Sequence, residues 1–417
     1  MSQIRVAVAH MGARRYYLLP QLFYESGMLQ VFHTDFFIRF PMPKWFLNIF
    51  QKVGLNPVVA MLGRQDSTLG KARVKDYKGL GISFWWQRQR IPVSKRPEMF
   101  AKVNRSFNQK VLAGQGLKDA NVVYAFSGGA LNLFQEVGSQ SLKVLDQNLA
   151  AHKYVENLVA EEQEHWHRWE QSRGILGDNP LIDRQQKEWA IADAIMTPSD
   201  FVAASLRAEG VPQEKIDVIP YPVDFTAFPY QVRTRHNGPL RVLFLGNVNL
   251  RKGIPYLLEA ALNLGANRIQ VRVVGGIQVV KNKLTPYDSV ASFVGRLPRS
   301  AVYQELAWTD LLCLPSLGEG NALVTNEALA SGVPVICTPN TGSRVRDGVD
   351  GTIVPIRDAD AIASALDRYA QDRDLLCWQS EQAIIGRDRL GYQVYRDRLL
   401  DTIRARFHAW ESKEKEV

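Results

Sequence analysis

The stretch Pro315-Ser-Leu-Gly-Glu-Gly-Asn-Ala-Leu-Val-Thr-Asn-Glu-Ala-Leu-Ala-Ser-Gly-Val-Pro-Val-Ile336 reads as a loop leaving a strand, then a helix, then the next strand. The apolar run Leu311 to Leu314 before it has strand character and stops at Pro315. A helix is expected to open near Asn321 or Ala322 and to run to Ala330. A helix N-terminus beside glycines such as Gly318 and Gly320 offers backbone N–H groups to an anion such as phosphate. Glu319 precedes those amides, and Glu327 lies one or two turns into the helix. That spacing can set one carboxylate at a cleft floor and the other further along the same ligand. Carboxylates so placed suit the vicinal hydroxyls of a sugar. Two surface glutamates are the ordinary reading of this spacing alone, and the flanking residues are what set this pair apart.

The same alternation continues on both sides. Downstream of a polar, turn-rich segment at 229–239, Leu240–Leu245, Ile269–Val274, Val290–Val294 and Val333–Cys337 are expected strands, and Pro255–Leu262 an expected helix. Upstream, Ile4–Ala9, Val122–Phe126, Leu142–Leu145, Ala194–Thr197 and Lys215–Ile219 are expected strands. A helical, charge-rich stretch spans His152–Glu170, and a helix is expected over Val202–Arg207. Strands separated by helices predict parallel sheets covered on both faces. The fold class is therefore α/β, with two Rossmann-like β/α/β domains facing across a cleft. The expected limits are 1–228 for the first domain, 229–239 for the linker and 240–389 for the second. A charged helix over about 390–417 is expected to pack back on the first domain.

The chain has 417 residues, more than one core usually organises, with 46% apolar and 22% charged residues. No apolar run approaches the roughly 18 residues needed to cross a bilayer, and the N-terminus has no secretory pattern. Cys313, Cys337 and Cys377 form no CxxC pair, which argues against a disulfide framework and a cysteine zinc site. The reading is a cytoplasmic, reduced protein. Its net charge of +9 is unevenly placed. Residues 1–100 hold fifteen Lys/Arg against five Asp/Glu, whereas the other 317 residues carry 36 basic and 37 acidic groups. The basic end also carries Trp45, Phe46 and Phe50, and Tyr77, Phe84, Trp85 and Trp86 lie among the basic residues of Lys71–Arg96. An anionic partner follows: a membrane surface on the inner face, or a phosphate-bearing acceptor. Core packing and acceptor stacking are the competing explanations of those aromatics. No nucleic-acid-binding motif is present, which argues against that partner.

Pro315-Ser-x-x-Glu-Gly and Glu327-Ala-Leu-Ala-Ser-Gly-Val-Pro-Val-Ile336 together resemble the donor-binding motif of the retaining glycosyltransferases of family four, which have the GT-B fold (glycosyl transferases group one). Leu243-Phe-Leu-Gly-Asn-Val-Asn-Leu-Arg-Lys-Gly-Ile-Pro-Tyr-Leu-Leu-Glu-Ala260 resembles the strand, loop and helix opening the family's second domain. Val294-Gly-Arg-Leu-Pro298 is similar to its base-binding loop. The likeness is good over about 190–370 and loose before it. It implies that Gly246, Asn247, Arg251, Lys252, Arg296, Leu297, Glu319, Gly320, Asn321, Ala322, Leu323 and Glu327 bind the donor. Arg251 and Lys252 would neutralise a diphosphate leaving group, Glu319 would hold the donor sugar, and Glu327 the ribose hydroxyls. Many members have Arg where this chain has Asn247, and Pro-Asn-Gly-Val-Asp where it has Pro220-Tyr-Pro-Val-Asp224.

On the first domain, the family usually places a histidine after a strand. Asp146 stands there in this chain and His152 follows six residues later, so both join Glu319 and Lys252 as catalytic candidates. A helix cap for Asp146 and a surface histidine for His152 are the alternatives. His10, Gly12, Arg14 and Arg15 follow the first strand and are acceptor-side candidates. His165 and His167 lack a supporting ligand cluster, and no metal or other cofactor is expected. The implied activity is metal-independent, retaining transfer of a sugar from a UDP- or GDP-linked donor to a glycan, lipid or small-molecule hydroxyl, as in polysaccharide or glycolipid synthesis. The alternatives are a nucleotide-sugar epimerase and a non-catalytic sugar-nucleotide or polyanion-binding protein.

Overall fold

The computed structural model describes residues 3–39, 43, 59, 61–92, 95–170 and 180–416. Two parallel sheets organise them. The first has the order β3-β2-β1-β4-β5-β6-β7, from β1 (Val6–Ala9), β2 (Leu29–Thr34), β3 (Val74–Asp76), β4 (Val122–Phe126), β5 (Leu142–Asp146), β6 (Ala194–Thr197) and β7 (Ile216–Val218). The second has the order β10-β9-β8-β11-β12-β13, from β8 (Leu240–Leu245), β9 (Ile269–Val274), β10 (Ala291–Gly295), β11 (Leu311–Leu314), β12 (Val335–Cys337) and β13 (Gly351–Ile353). In each, strand order reverses beside the first strand of the domain. Loops after β1, β4, β8 and β11 therefore sit at the two topological switch points, where open α/β sheets bind ligands.

The described helices are α1 (Leu18–Glu25), α2 (Lys78–Arg90), α3 (Arg96–Leu112), α4 (Leu131–Val137), α5 (His152–His165), α6 (Pro180–Ile191) and α7 (Asp200–Ala208) in the first part of the chain. The second part has α8 (Ile254–Leu264), α9 (Arg299–Trp308), α10 (Leu323–Ala330), α11 (Ala359–Gln371), α12 (Arg373–Ile385) and α13 (Tyr392–Glu416). Strand periodicity sorts the cores. Val6 and Val8 pack with α1 on one face of the first sheet, and Ala7 and Ala9 pack with α3 and α4 on the other. Tyr395, Leu399, Ile403 and Phe407 recur every four residues on α13, which buries that stripe on the α1 face. Its remaining faces explain the charged composition.

The charge-rich stretch after residue 152 is helical only to His165. Trp169 then enters the core of the second domain beside Leu240, Val242 and Phe244. Sequence position puts this segment in the first domain, and packing divides it between the two. Among the described aromatics of the basic end, Tyr77, Phe84 and Trp85 are half-buried. Phe36 and Phe37 are buried, Phe84 packs on Phe100 at 5.4 Å, and the Tyr77 hydroxyl donates to the Lys110 carbonyl. Trp86 is 51% exposed. Lys44, Trp45, Phe46, Phe50 and Lys52 lie outside the described residues. Among the described residues, no helix is long and apolar enough to cross a membrane.

Candidate functional site

The second switch point joins a cationic turn to an acidic loop. After β8 the chain passes Gly246 and the exposed Asn247, and Asn249 accepts the Lys252 amide at 3.0 Å. This side-chain cap closes the short turn Leu250–Lys252. Gly253 follows at φ +67°, and a side-chain carbon there would overlap the Pro315 carbonyl. Only glycine lets the turn sit on the end of β11. The Leu317 amide then donates to the Arg251 carbonyl at 2.9 Å, so turn and loop are locked together.

Arg251 and Lys252 converge on one oxygen. Glu319 Oε1 lies 2.5 Å from Arg251 Nη1 and 2.9 Å from Lys252 Nζ, and Arg251 also donates to the Gly318 carbonyl at 2.6 Å. Lys252 is only 9% exposed, and burial pushes its ammonium pKa down while Glu319 pulls it back up. Two cations facing one carboxylate leave a net positive charge in a partly dry site. Such a site attracts an anion with oxygens to share between them. Glu327 makes a separate pair, 3.2 Å from Arg299 Nη2. Burial raises its carboxyl pKa and Arg299 opposes the rise. Arg296 is exposed and lies against Gly276, where a side-chain carbon would meet its guanidinium. Leu297 is half-buried against the second-domain core.

The loop before α10 differs from its expected role as an open row of amides. The Ala322 amide donates to the Thr341 carbonyl at 3.2 Å, so it is already paired, and α10 starts at Leu323. Leu323, 38% exposed, and the residue after it contribute the amides that open the helix. Gly320 serves domain contact: a side-chain carbon would overlap the Asn148 carbonyl of the first domain, and its own carbonyl accepts Ser199 Oγ at 2.5 Å. Asn321 reaches the Pro198 carbonyl at 3.1 Å and accepts from Asn326 at 3.0 Å. These residues hold the two domains together at the mouth of the site.

On the first domain the candidates separate. Asp146 is 2% exposed at the end of β5, where it accepts the Tyr124 hydroxyl at 2.9 Å and the Tyr221 hydroxyl at 3.1 Å. It is neither open to the cleft nor the cap of α5, whose N-cap position is Ala151. Tyr221, a departure from the family pattern, is there to bind it. His10 is 3% exposed, boxed by Phe32 at 4.9 Å and Phe126 at 5.2 Å, with Nδ1 3.0 Å from the Gly12 carbonyl. The ring belongs to the core, because aromatic neighbours fill the strand end. The Gly12 amide donates to Asp35, and the Arg14 guanidinium lies 4.8 Å over the Phe126 ring. Arg15 lies in the turn Arg14–Tyr17, and its side chain is outside the described residues. His152 opens α5 and donates its amide to Gln185 at 2.9 Å. Burial lowers its imidazole pKa and so favours the neutral ring, with Glu156 opposing. One turn on, Val155 lies 3.4 Å from where a side-chain carbon on Gly318 would stand. His152, three residues earlier, lies on the same side of that helix as Val155.

Two features carried no sequence signal. The Ser127-Gly-Gly loop after β4 is filled by Glu188, which accepts the amides of Gly128 (2.6 Å), Ala130 (2.8 Å) and Leu131 (3.0 Å). Glu162 is buried between the Tyr256 hydroxyl and Arg357. Glu162 lies in the stretch expected to be helical and charge-rich, and Glu188 in α6, which is not among the helices expected from sequence. Among the described residues, no group of three His, Cys, Asp or Glu side chains could hold a metal ion.

Residues 239–372 match the family model described as glycosyl transferases group 1. The chain is 30% identical over 200 residues to the putative colanic acid biosynthesis glycosyltransferase WcaL of Salmonella typhimurium, covering 44% of this chain and 49% of that one. It is 33% identical over 186 residues to the D-inositol 3-phosphate glycosyltransferase of Geodermatophilus obscurus, covering 38% and 41%. The chain thus spans about half the length of the curated relatives it matches. Over the whole molecule it superposes on sucrose-phosphate synthase from Thermosynechococcus elongatus with TM-score 0.68, at 17% identity, covering 97% of this chain and all of the other. The fold is GT-B. Anabaena HepE in complex with UDP and glucose is a second such neighbour, with TM-score 0.57, 12% identity and coverage of 96% and 100%. In GT-B terms, the acidic loop and cationic turn belong to the second domain, and His152 to the first.

Proposed function

We propose that this chain is a retaining glycosyltransferase, acting without a metal ion, that moves a sugar from a UDP- or GDP-linked donor to an acceptor hydroxyl in polysaccharide or glycolipid synthesis. The observation that carries the reading is the convergence of Arg251 and Lys252 on Glu319 at the second switch point. The relatives named for colanic acid synthesis and the neighbour solved with UDP and glucose support it. A donor diphosphate would draw Arg251 and Lys252 from Glu319 and leave that carboxylate for the sugar. The two cations would then stabilise the charge that develops as the anomeric carbon–oxygen bond breaks. Glu319 would accept a sugar hydroxyl and steady the cationic anomeric centre, and Glu327 would hold the ribose hydroxyls. The acceptor oxygen forms its bond on the face the diphosphate leaves, and its proton passes to a departing phosphate oxygen. His152, whose imidazole pKa is lowered by burial, is the first-domain candidate for assisting that step.

The test is a thermal-shift and calorimetric screen against UDP, GDP, ADP and their sugar conjugates. One nucleotide should stabilise the protein selectively, and its sugar conjugate should yield product with an acceptor. If all are inert, the donor role of the motif is wrong. Nucleoside diphosphate released with no acceptor present would favour the epimerase alternative.

The same reading places the protein on the cytoplasmic face of a membrane, beside a lipid-linked or phosphate-bearing acceptor. Lys78, Ile82, Trp86 and Arg90 recur every four residues along α2, with Ile82 46% exposed and Arg90 stacked on Trp86 at 3.3 Å. A basic stripe with an exposed aromatic suits anionic lipid. Liposome flotation should depend on anionic lipid and weaken in Trp86→Ala; flotation indifferent to lipid charge removes this part of the proposal.

A further inference from the structure

Residues 152–170 start on the first domain and finish inside the second. At the start, the Ala151 amide donates to Ser205 Oγ at 3.0 Å and the His152 amide to Gln185 at 2.9 Å. Along the way, Glu162 accepts the Tyr256 hydroxyl at 2.8 Å and Arg357 Nε at 2.5 Å, and Arg357 Nη2 reaches Glu161 at 2.7 Å. At the end, Trp169 is buried among second-domain residues and its carbonyl accepts the Val280 amide at 2.7 Å. The last residue of this arm, Glu170, accepts the Leu250 amide through Oε1 at 2.8 Å.

Leu250 opens the turn that presents Arg251 and Lys252, and it is fully buried. A buried amide needs a partner from the protein, and here a side chain of the crossing arm supplies it. Asn249 holds the other end of the turn through the Lys252 amide, and the acidic loop holds its middle through the Arg251 carbonyl. Of these three ties, only Glu170 comes from outside the second domain's own loops. We infer that Glu170 is a positioning residue: it fixes where the turn presents its two cations, and through the arm it links that placement to the first domain. This deepens the proposed function, since it rests on the turn being the diphosphate site.

The experiment compares Glu170→Ala and Glu170→Gln in the full chain, using UDP, GDP and ADP as probes and hydrogen exchange of the Leu250–Gly253 amides. In Glu170→Ala, the dissociation constant of the nucleotide that binds the wild type should rise roughly tenfold, as expected for one lost buried hydrogen bond. Glu170→Gln keeps a carbonyl oxygen for the Leu250 amide and should stay within about twofold. Exchange in the turn should quicken at least about tenfold in Glu170→Ala, while β8 and β9 exchange as before. Unchanged affinity with unchanged exchange overturns the inference. So does faster exchange throughout the second domain, because Glu170 would then act on stability alone. If no nucleotide binds even the wild type, the diphosphate reading fails, and the exchange arm still decides whether Glu170 holds the turn.

Discussion

Two glycine-containing loops occupy equivalent places in the two sheets, one after β4 and one after β11, each beside its domain's first strand. Each is met by a carboxylate, and the two carboxylates behave differently. In the first domain Glu188 comes from α6, is fully buried and accepts three loop amides. Arg184 and Asn104 both donate to the Gly128 carbonyl, at 2.9 and 3.0 Å. That loop is filled for good by the protein's own side chain. In the second domain Glu319 belongs to the loop itself and is held by Arg251 and Lys252. One topology therefore yields a structural plug on one side and an ion pair with two cations on the other. What decides between them is whether the loop's partner is a set of buried amides or a set of partly solvated cations.

Removing the plug should have the largest effect. Glu188→Ala leaves three loop amides without their acceptor and Arg184 without its carboxylate, and should lower stability by about 3–5 kcal/mol in chemical denaturation. A loss below about 1 kcal/mol would mean water replaces the carboxylate and the contrast is weaker than drawn. On the other loop, Lys252→Ala should lower kcat/KM by about a hundredfold or more while the denaturation midpoint stays nearly unchanged. Stability lost without activity lost would make Lys252 structural, like Glu188. Glu327→Ala should raise donor KM about tenfold with a smaller change in kcat, as for a group that binds ground and transition states alike. The close domain contact gives a milder test: Gly320→Ala must push the Asn148 carbonyl away, and should cost about 1–3 kcal/mol of stability. The smallest effect is in pH. Burial lowers the Lys252 pKa, so this ammonium loses its charge at lower pH than an ordinary lysine, and nucleotide affinity should fall over that range. Lys252→Arg should abolish that fall in a calorimetric titration, because a guanidinium stays charged.

Legibility followed the range of the interactions. Leu240–Leu245 is plain as a strand from its apolar run, and Ile269–Val274 from buried Ile269, Val271 and Val273 alternating with Gln270 and Arg272. The strand Leu29–Thr34 passed unnoticed, since His33 and Thr34 break its apolar run and are nevertheless buried. Arg251, Lys252 and Glu319 could be nominated from motifs that resemble a known family. That His10 and Asp146 are walled in could not, for their walls are Phe126, Tyr124 and Tyr221, distant in sequence. Gly320 is expected among the donor-binding residues, whereas the space beside it is taken by the Asn148 carbonyl.

The sequence by itself determined the α/β alternation, the two-sheet architecture and the local chemistry of the loops that end β8 and β11. These follow from periodicity and from residues within one turn of each other, where neighbours along the chain are neighbours in space. Tertiary structure alone decided which glutamate plugs a loop, which one meets two cations, and that Glu170 crosses to the second domain to hold Leu250. Those outcomes depend on contacts between residues 60 to 80 positions apart, as between Gly128 and Glu188 or Leu250 and Glu170. A carboxylate carries the same charge in every sequence, and what it does is set by the donors and cations that folding brings to it.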